Sequence, residues 1–233
     1  MRRDAQAVVL LLLGGGLLRL AVTGDYLDYV KPSALWLIVP AGLALVAVAA
    51  VTVLEIWRAR EAPDRDGHGE PGIAWLLLAP VVGMLLVAPN ALGSYDAERS
   101  GTAVGSEEGR SSYPELPDED PAPLTLLDYA ARAVFDEGRT LEGRRVELSG
   151  FILHDGGEPQ LARMVVSCCA ADARPVKIGL EGDLPADLEP DRWVEAVGTY
   201  SPRQGRDEIN GELIPYLEVE SITEIAPPDN EYQ

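Results

Sequence analysis

The residues whose types and spacing could support chemistry lie in one short run of the C-terminal half, Cys168-Cys169 followed by Asp172. A disulfide between adjacent cysteines closes a loop of one peptide unit and removes almost no entropy from the unfolded chain. A structural disulfide that stabilises the fold is therefore the weakest explanation of the pair. Soft thiolates suit zinc or cuprous copper, and Asp172 lies within reach as an oxygen ligand or a hydrogen-bonding partner. His154, expected in the turn after the first strand, could complete a site. We therefore take Cys168, Cys169, Asp172 and His154 as candidate metal ligands.

Other interpretations of these residues stay open at the level of sequence. In a regular strand, neighbouring side chains point to opposite faces, so one thiol would be buried and the other exposed. If the pair instead stands where a strand ends and a helical turn begins, with Ser167 as the N-cap, the pKa of the thiols would be lowered, which favours metal binding or redox chemistry. A lone histidine in a glycine-rich turn such as that of His154 is more often simply solvated.

The charge of the chain is divided unevenly and excludes some functions. Of its 233 residues, 19 are Lys or Arg and 38 are Asp or Glu, and residues 93–233 alone carry a net charge of −18 from 12 basic and 30 acidic side chains. Such a surface repels phosphate backbones, so we do not expect nucleic-acid binding. No glycine-rich phosphate loop, Ser/His/Asp set or carboxylate pair with a matched base occurs, so we do not expect an enzyme.

Three apolar stretches approach the length of about 20 residues that crosses a bilayer as a helix. They lie at residues 5–22, 34–54 and 72–92. A cleaved signal peptide is the alternative for the first stretch, but it leaves the other two in place. The fold class expected is a membrane α-helical region of about three transmembrane helices at 1–92, followed by an outer domain.

Basic residues in short loops set the expected orientation. Arg2 and Arg3 precede the first stretch, and Arg58, Arg60 and Arg65 stand in the loop between the second and the third. Only Lys31 stands in the loop between the first two stretches. This asymmetry predicts a multi-pass protein of the cell membrane with a cytoplasmic N-terminus and an extracytoplasmic C-terminal domain.

Beyond the third stretch the pattern changes twice. Residues 93–123 are rich in Gly, Ser, Pro and acid, which is typical of an extended linker. Leu124 to Glu137 repeats its apolar residues with a helical period. Alternation with a period of two then predicts five strands: from Arg145, over Leu161–Val166, Val176–Leu180 and Trp193–Tyr200, and over a bulged Ile214–Ile225. We therefore expect residues 124–233 to form a small all-β barrel of the OB type, or a compact sandwich, preceded by one helix.

Several segments resemble the YcgQ-like family of two-component membrane permease subunits, which carry a domain of unknown function. The matching segments are Gly24–Pro32, Ala88–Ser94, the run Cys168-Cys169-Ala170-Ala171-Asp172-Ala173 before Pro175, Trp193-Val194, and the late Pro227-Pro228 with Tyr232. The resemblance covers essentially the whole chain. It implies a subunit that works beside a larger multi-span permease of the YraQ-like type. Members often have a histidine-rich cytoplasmic loop, of which this chain keeps only His68.

Two functions follow as hypotheses. The first is a non-enzymatic accessory subunit of a permease complex, because the apolar stretches carry no Asp, Glu or His at mid-depth where an ion pathway would need one. The alternative is a membrane-anchored module whose outer domain binds zinc or copper, or performs thiol redox chemistry, through Cys168 and Cys169.

Overall fold

The computed structural model describes residues 3–60, 91–107, 112–155 and 157–233. The chain divides into two compact units, a helical unit over Met1–Asn90 and a barrel unit over Ala91–Gln233. Each unit has its own internal contacts.

Within residues 3–60, the described part of the helical unit, lie two long helices, α1 (Arg3–Thr23) and α2 (Leu35–Arg60), joined through the short 3-10 turns Asp25–Asp28 and Pro32–Ala34. Both helices are long and apolar enough to cross a membrane, with a mean hydropathy of 1.8 over Gln6–Thr23 and of 2.6 over the most apolar 18 residues within Pro32–Arg58. They coincide with the predicted stretches at 5–22 and 34–54. The third predicted stretch, 72–92, lies outside the described residues except for its last two.

Glycines allow α1 and α2 to approach each other closely. A Cβ atom added at Gly14 would come within 2.9 Å of the carbonyl oxygen of Gly42, and one added at Gly42 would come within 2.9 Å of Leu18. Only residues without a side chain fit at such a crossing, as is common for helix pairs in membranes. Gly14 therefore serves the close packing of the two helices, whereas its neighbour Gly15 faces open space.

The barrel unit begins with a single helical turn and continues into a helix and six strands. The helices are α3 (Ser94–Ala97) and α4 (Leu126–Phe135), and the strands are β1 (Ala122–Pro123), β2 (Arg145–Asp155), β3 (Glu158–Val165), β4 (Arg174–Gly182), β5 (Trp193–Arg206) and β6 (Leu213–Glu224). The helix and the five long strands lie within a few residues of their predicted positions.

The five long strands close into a barrel because β2 pairs with two of the other long strands. It pairs antiparallel with β3 on one side and with β5 on the other, and the circuit continues through β3–β4, the parallel pair β4–β6, and β6–β5. The bulge predicted for the last strand is present, since Val197 pairs with Ser221 and Gly198 with Val219, which leaves Glu220 as the extra residue. The prediction of a closed five-stranded barrel is confirmed.

Helix α4 covers one end of the barrel core. Thr125 caps it by accepting a hydrogen bond from the backbone N–H of Asp128, at 3.1 Å. Leu126 and Tyr129 are fully buried, and the Tyr129 hydroxyl donates a 2.6 Å hydrogen bond to the carbonyl oxygen of Tyr216 in β6. The amphipathic period that predicted this helix therefore reflects its burial against the strands.

Residues 91–107 pack on the barrel, which differs from the extended linker expected for this composition. Ala97 is fully buried beside Phe151, and Ala103 and Val104 join the main core. The Ala103 N–H donates a 2.8 Å hydrogen bond to the carbonyl oxygen of Pro175 in β4. We call residues 101–105 the strap. Its buried side chains are small, which is why composition alone did not reveal their burial.

A buried ion pair fixes the strap to the barrel. Lys177 of β4 and Asp207 have side chains only 1% and 0% exposed, and Nζ lies 2.9 Å from Oδ2. The same Oδ2 accepts a 3.0 Å hydrogen bond from the backbone N–H of Thr102. Although burial penalises the charged form, the Lys177 ammonium and the N–H groups of Ile209 and Thr102 hold the pKa of Asp207 below its usual value.

Replacing Asp207 by Asn should leave the Lys177 ammonium buried without its counter-charge, at a cost of about 3–5 kcal/mol in the free energy of unfolding. Denaturant unfolding of the detergent-solubilised full chain, followed by near-ultraviolet circular dichroism, measures this change. Because the pKa of Asp207 is depressed, the wild-type advantage should hold at neutral pH and shrink as the pH falls below about 4. Glu208→Gln, at an exposed neighbouring position, is the matched control, and an equal loss in both variants would contradict the ion pair's role.

Candidate thiol and metal site

The two cysteines lie in the connection between β3 and β4. The strands pair up to Val165 opposite Arg174, and residues 166–173 form the loop between them, which we call the Cys loop. On the β3 side, the buried Val166 donates a 3.1 Å hydrogen bond to the carbonyl oxygen of Gln233. On the β4 side, Arg174 donates a 2.8 Å hydrogen bond to the carbonyl oxygen of Thr102 in the strap. The Cys loop is therefore anchored at both ends.

Asp172 organises the interior of the Cys loop. Its Oδ1 accepts a 2.7 Å hydrogen bond from the backbone N–H of Ser167, and its Oδ2 accepts from the N–H groups of Cys168 at 2.9 Å and Cys169 at 3.4 Å. A single 3-10 turn, Ala170–Asp172, brings the carboxylate back to these donors. The side chain of Asp172 thus fixes the backbone that carries both thiols.

This loop brings the two thiols to the same side of the chain. The Sγ atoms of Cys168 and Cys169 lie 3.6 Å apart and are not bonded to each other. Cys168 is exposed and Cys169 is half-buried. The regular-strand interpretation, with one buried and one exposed thiol on opposite faces, therefore does not hold. The pair does stand where a strand ends and a helical turn begins, but the N-cap of that turn is Cys169 and not the expected Ser167.

Three of the four candidate ligands are brought together. One ligand atom each from Cys168, Cys169 and Asp172 lie within 4.8 Å of one another, and this is the one such group found among the described residues. His154 is not part of it. It pairs with Pro159 at the hairpin end of β3, and six residues of strand, roughly 20 Å, separate Pro159 from the Cys loop. The sequence placed His154 near a turn but did not show that this turn lies at the opposite end of the strand.

The carboxylate also controls the protonation of the exposed thiol. The hydrogen bond to Asp172 and the contact with Cys169 raise the pKa of Cys168 to about 11, while the same hydrogen bond and those from the backbone lower the pKa of Asp172 to about 2. The expectation of a lowered thiol pKa is wrong for Cys168. The turn is only three residues long, and Asp172 already accepts hydrogen bonds from the N–H groups that would have stabilised a thiolate.

The chain combines two helices apolar enough to cross a membrane with a small closed barrel that carries a vicinal thiol pair on one loop. Residues 131–233 match the family model described as the DUF1980 C-terminal domain. The match includes all five long strands and the Cys loop, and it is consistent with the resemblance to a DUF1980/YcgQ-like family. No curated protein and no solved structure matches the chain.

Alkylation of Cys168 should be slow at pH 8 and should rise until about pH 11, since only the thiolate reacts. Asp172→Asn removes the carboxylate charge, so the pKa of Cys168 should fall and its rate at pH 8 should increase at least about tenfold. Mass spectrometry of the iodoacetamide-treated full chain resolves the two cysteines. Asp183→Asn, at an exposed turn, controls for general charge. A wild-type rate that levels off below pH 9 would contradict the carboxylate's effect.

Proposed function

We propose that this protein is a non-enzymatic, membrane-anchored accessory subunit of a permease complex, and that its outer barrel binds a soft metal ion through Cys168 and Cys169. The observation that carries the proposal is the pair of thiols 3.6 Å apart on an exposed, anchored loop. A disulfide between vicinal thiols would contribute almost nothing to the stability of the fold, so their arrangement supports metal binding rather than a structural disulfide.

The length of α2 supports insertion in a bilayer. Trp36 and Trp57 are 83% and 67% exposed in the chain by itself. They stand 21 residues apart, which corresponds to about 32 Å of helical rise and matches a hydrocarbon core of about 30 Å. Tryptophans are enriched at the two interfaces of a membrane, so each side chain would lie at one boundary.

Charge supports the proposed orientation and ligand class. The excess of basic residues, five against one, supports a cytoplasmic N-terminus, and with three spans the barrel unit would then be extracytoplasmic. The net charge of −18 over residues 93–233 raises the local concentration of cations and opposes anions. The closed five-stranded barrel, with its parallel β4–β6 pair, supports an OB-like description of this binding domain.

The apolar composition of α1 and α2 supports an accessory role. The middle of α1 and α2 presents no acidic residue and no histidine. The charged residues within the predicted stretches or directly beside them stand near the helix ends; they are Asp4, Arg19 and Glu55. Two such helices provide no polar lining for an ion. We therefore assign passage through the membrane to a larger multi-span partner of the YraQ-like type, as the resemblance implies.

Thiol redox chemistry is the second candidate. The closeness of Cys168 and Cys169 favours it, because oxidation to a disulfide needs only a short approach of the sulfurs. The raised pKa of Cys168 weighs against it, since thiol exchange proceeds through the thiolate. Metal ligation is less affected, because an ion can displace the thiol proton on binding.

Zinc titration of the full chain in lipid nanodiscs, under anaerobic reducing conditions, tests the metal site. The wild type should bind one ion, and Cys168→Ser with Cys169→Ser should weaken binding by more than about 100-fold, beyond the effect usual for residues that only support a ligand. His154→Ala should bind like the wild type, because His154 lies at the other end of β3. Unchanged affinity in the double variant would refute the site, and a wild type without free thiols before reduction would favour the redox candidate.

Purification of the tagged chain from its native membrane tests the accessory role. A multi-span membrane protein should co-purify in a mild detergent at a constant ratio, because the poorly lined helices need a partner for transport. A tagged version of residues 91–233 alone is the control for association through the barrel unit. Recovery of the full chain without any multi-span partner would contradict this part of the proposal.

A further inference from the structure

We infer that the Cys loop is a two-ligand chelate for an ion of tetrahedral preference, such as zinc, and that it leaves two coordination positions for ligands from another molecule. The inference rests on the proposed metal site and specifies its ion class and its mode of exchange. It follows from the separation of the sulfurs, from the hydrogen bonds of Asp172, and from the exposure of the loop.

The separation of the thiols favours tetrahedral coordination. Zinc–sulfur bonds are about 2.3 Å long, so two sulfurs 3.6 Å apart subtend an angle of about 103° at the ion. A tetrahedral ion requires about 109°. A linear two-coordinate ion with bonds of that length would need its sulfurs about 4.6 Å apart, on opposite sides of the metal. The site therefore suits zinc better than two-coordinate cuprous copper.

Asp172 acts as a positioning residue rather than as a third ligand. Its Oδ1 accepts one backbone hydrogen bond and its Oδ2 accepts two, so the carboxylate is already directed at the chain that carries the cysteines. Turning it towards an ion would release the N–H groups of Ser167 and Cys168. Residues that hold a ligand in this way typically change metal affinity 10–100-fold when replaced.

The two remaining positions are open to solvent. Structural zinc sites are closed by four protein ligands, whereas sites with fewer protein ligands retain exchangeable positions. Cys168 is exposed, and His154 is roughly 20 Å away along β3. An ion held by the exposed Cys168 and the half-buried Cys169 can accept imidazole or thiolate groups of a partner before it leaves the cysteines. The Cys loop is therefore built for transfer by ligand exchange.

Cobalt(II) in place of zinc, added to the full chain in nanodiscs, reports this geometry through its visible spectrum. We expect one ion per chain, the strong bands of tetrahedral cobalt, and thiolate charge-transfer bands. Free imidazole should shift the tetrahedral bands and leave the thiolate bands in place. Cys169→Ser should reduce the thiolate bands to about half. Asp172→Asn should keep both thiolate contributions but weaken binding about 10–100-fold, whereas Ser167→Ala, which retains the backbone N–H, should match the wild type.

Several results would overturn the inference while leaving the metal site standing. These are an octahedral spectrum, a spectrum that does not respond to imidazole, and half an ion per chain, which would mean that two copies close the site. Preferred two-coordinate binding of cuprous ion, seen by X-ray absorption, would do the same. Loss of all cobalt and zinc binding would instead refute the proposed function itself.

Discussion

The pairing of β2 with both β3 and β5 is the constraint on which the barrel unit depends. Closing the sheet removes free edges from the long strands, and β3, which pairs with β2 and β4, runs from one end of the resulting barrel to the other. The hairpin with His154 lies at one end and the Cys loop at the other. Which residues can meet in a site is therefore decided by closure before any side-chain chemistry is considered.

The same closure explains why the Cys loop can hold a defined geometry without a buried site. Val166 is tied to Gln233 on one side, and Arg174 is tied to Thr102 of the strap on the other. The strap in turn depends on the Lys177–Asp207 pair. The buried ion pair thus stabilises a segment next to the thiols, and the eight residues of the loop start and end at fixed points.

Local periodicity was sufficient to predict α4, the five strands and the bulge in β6, because each is encoded by neighbouring residues. It was not sufficient for features that join distant parts of the chain. The polar composition before α4 concealed the burial of Ala97 and Ala103, and nothing local connects Lys177 to Asp207. The sequence identified Cys168, Cys169 and Asp172 as neighbours. It could not show that His154 and the Cys loop lie at opposite ends of β3, because periodicity predicts where strands are and not how they pair.

Adjacent cysteines can act together only if the backbone leaves the strand conformation, since a strand would send their side chains to opposite faces. Asp172 produces this departure by accepting hydrogen bonds from the N–H groups of Ser167, Cys168 and Cys169. The same carboxylate disfavours a free Cys168 thiolate, so the exposed pair is less reactive towards oxidants and electrophiles while empty. An ion that binds thiolate strongly can displace the proton, whereas a weak electrophile cannot. The Asp172 side chain therefore both positions the two thiols and restricts which ions and electrophiles can react with them.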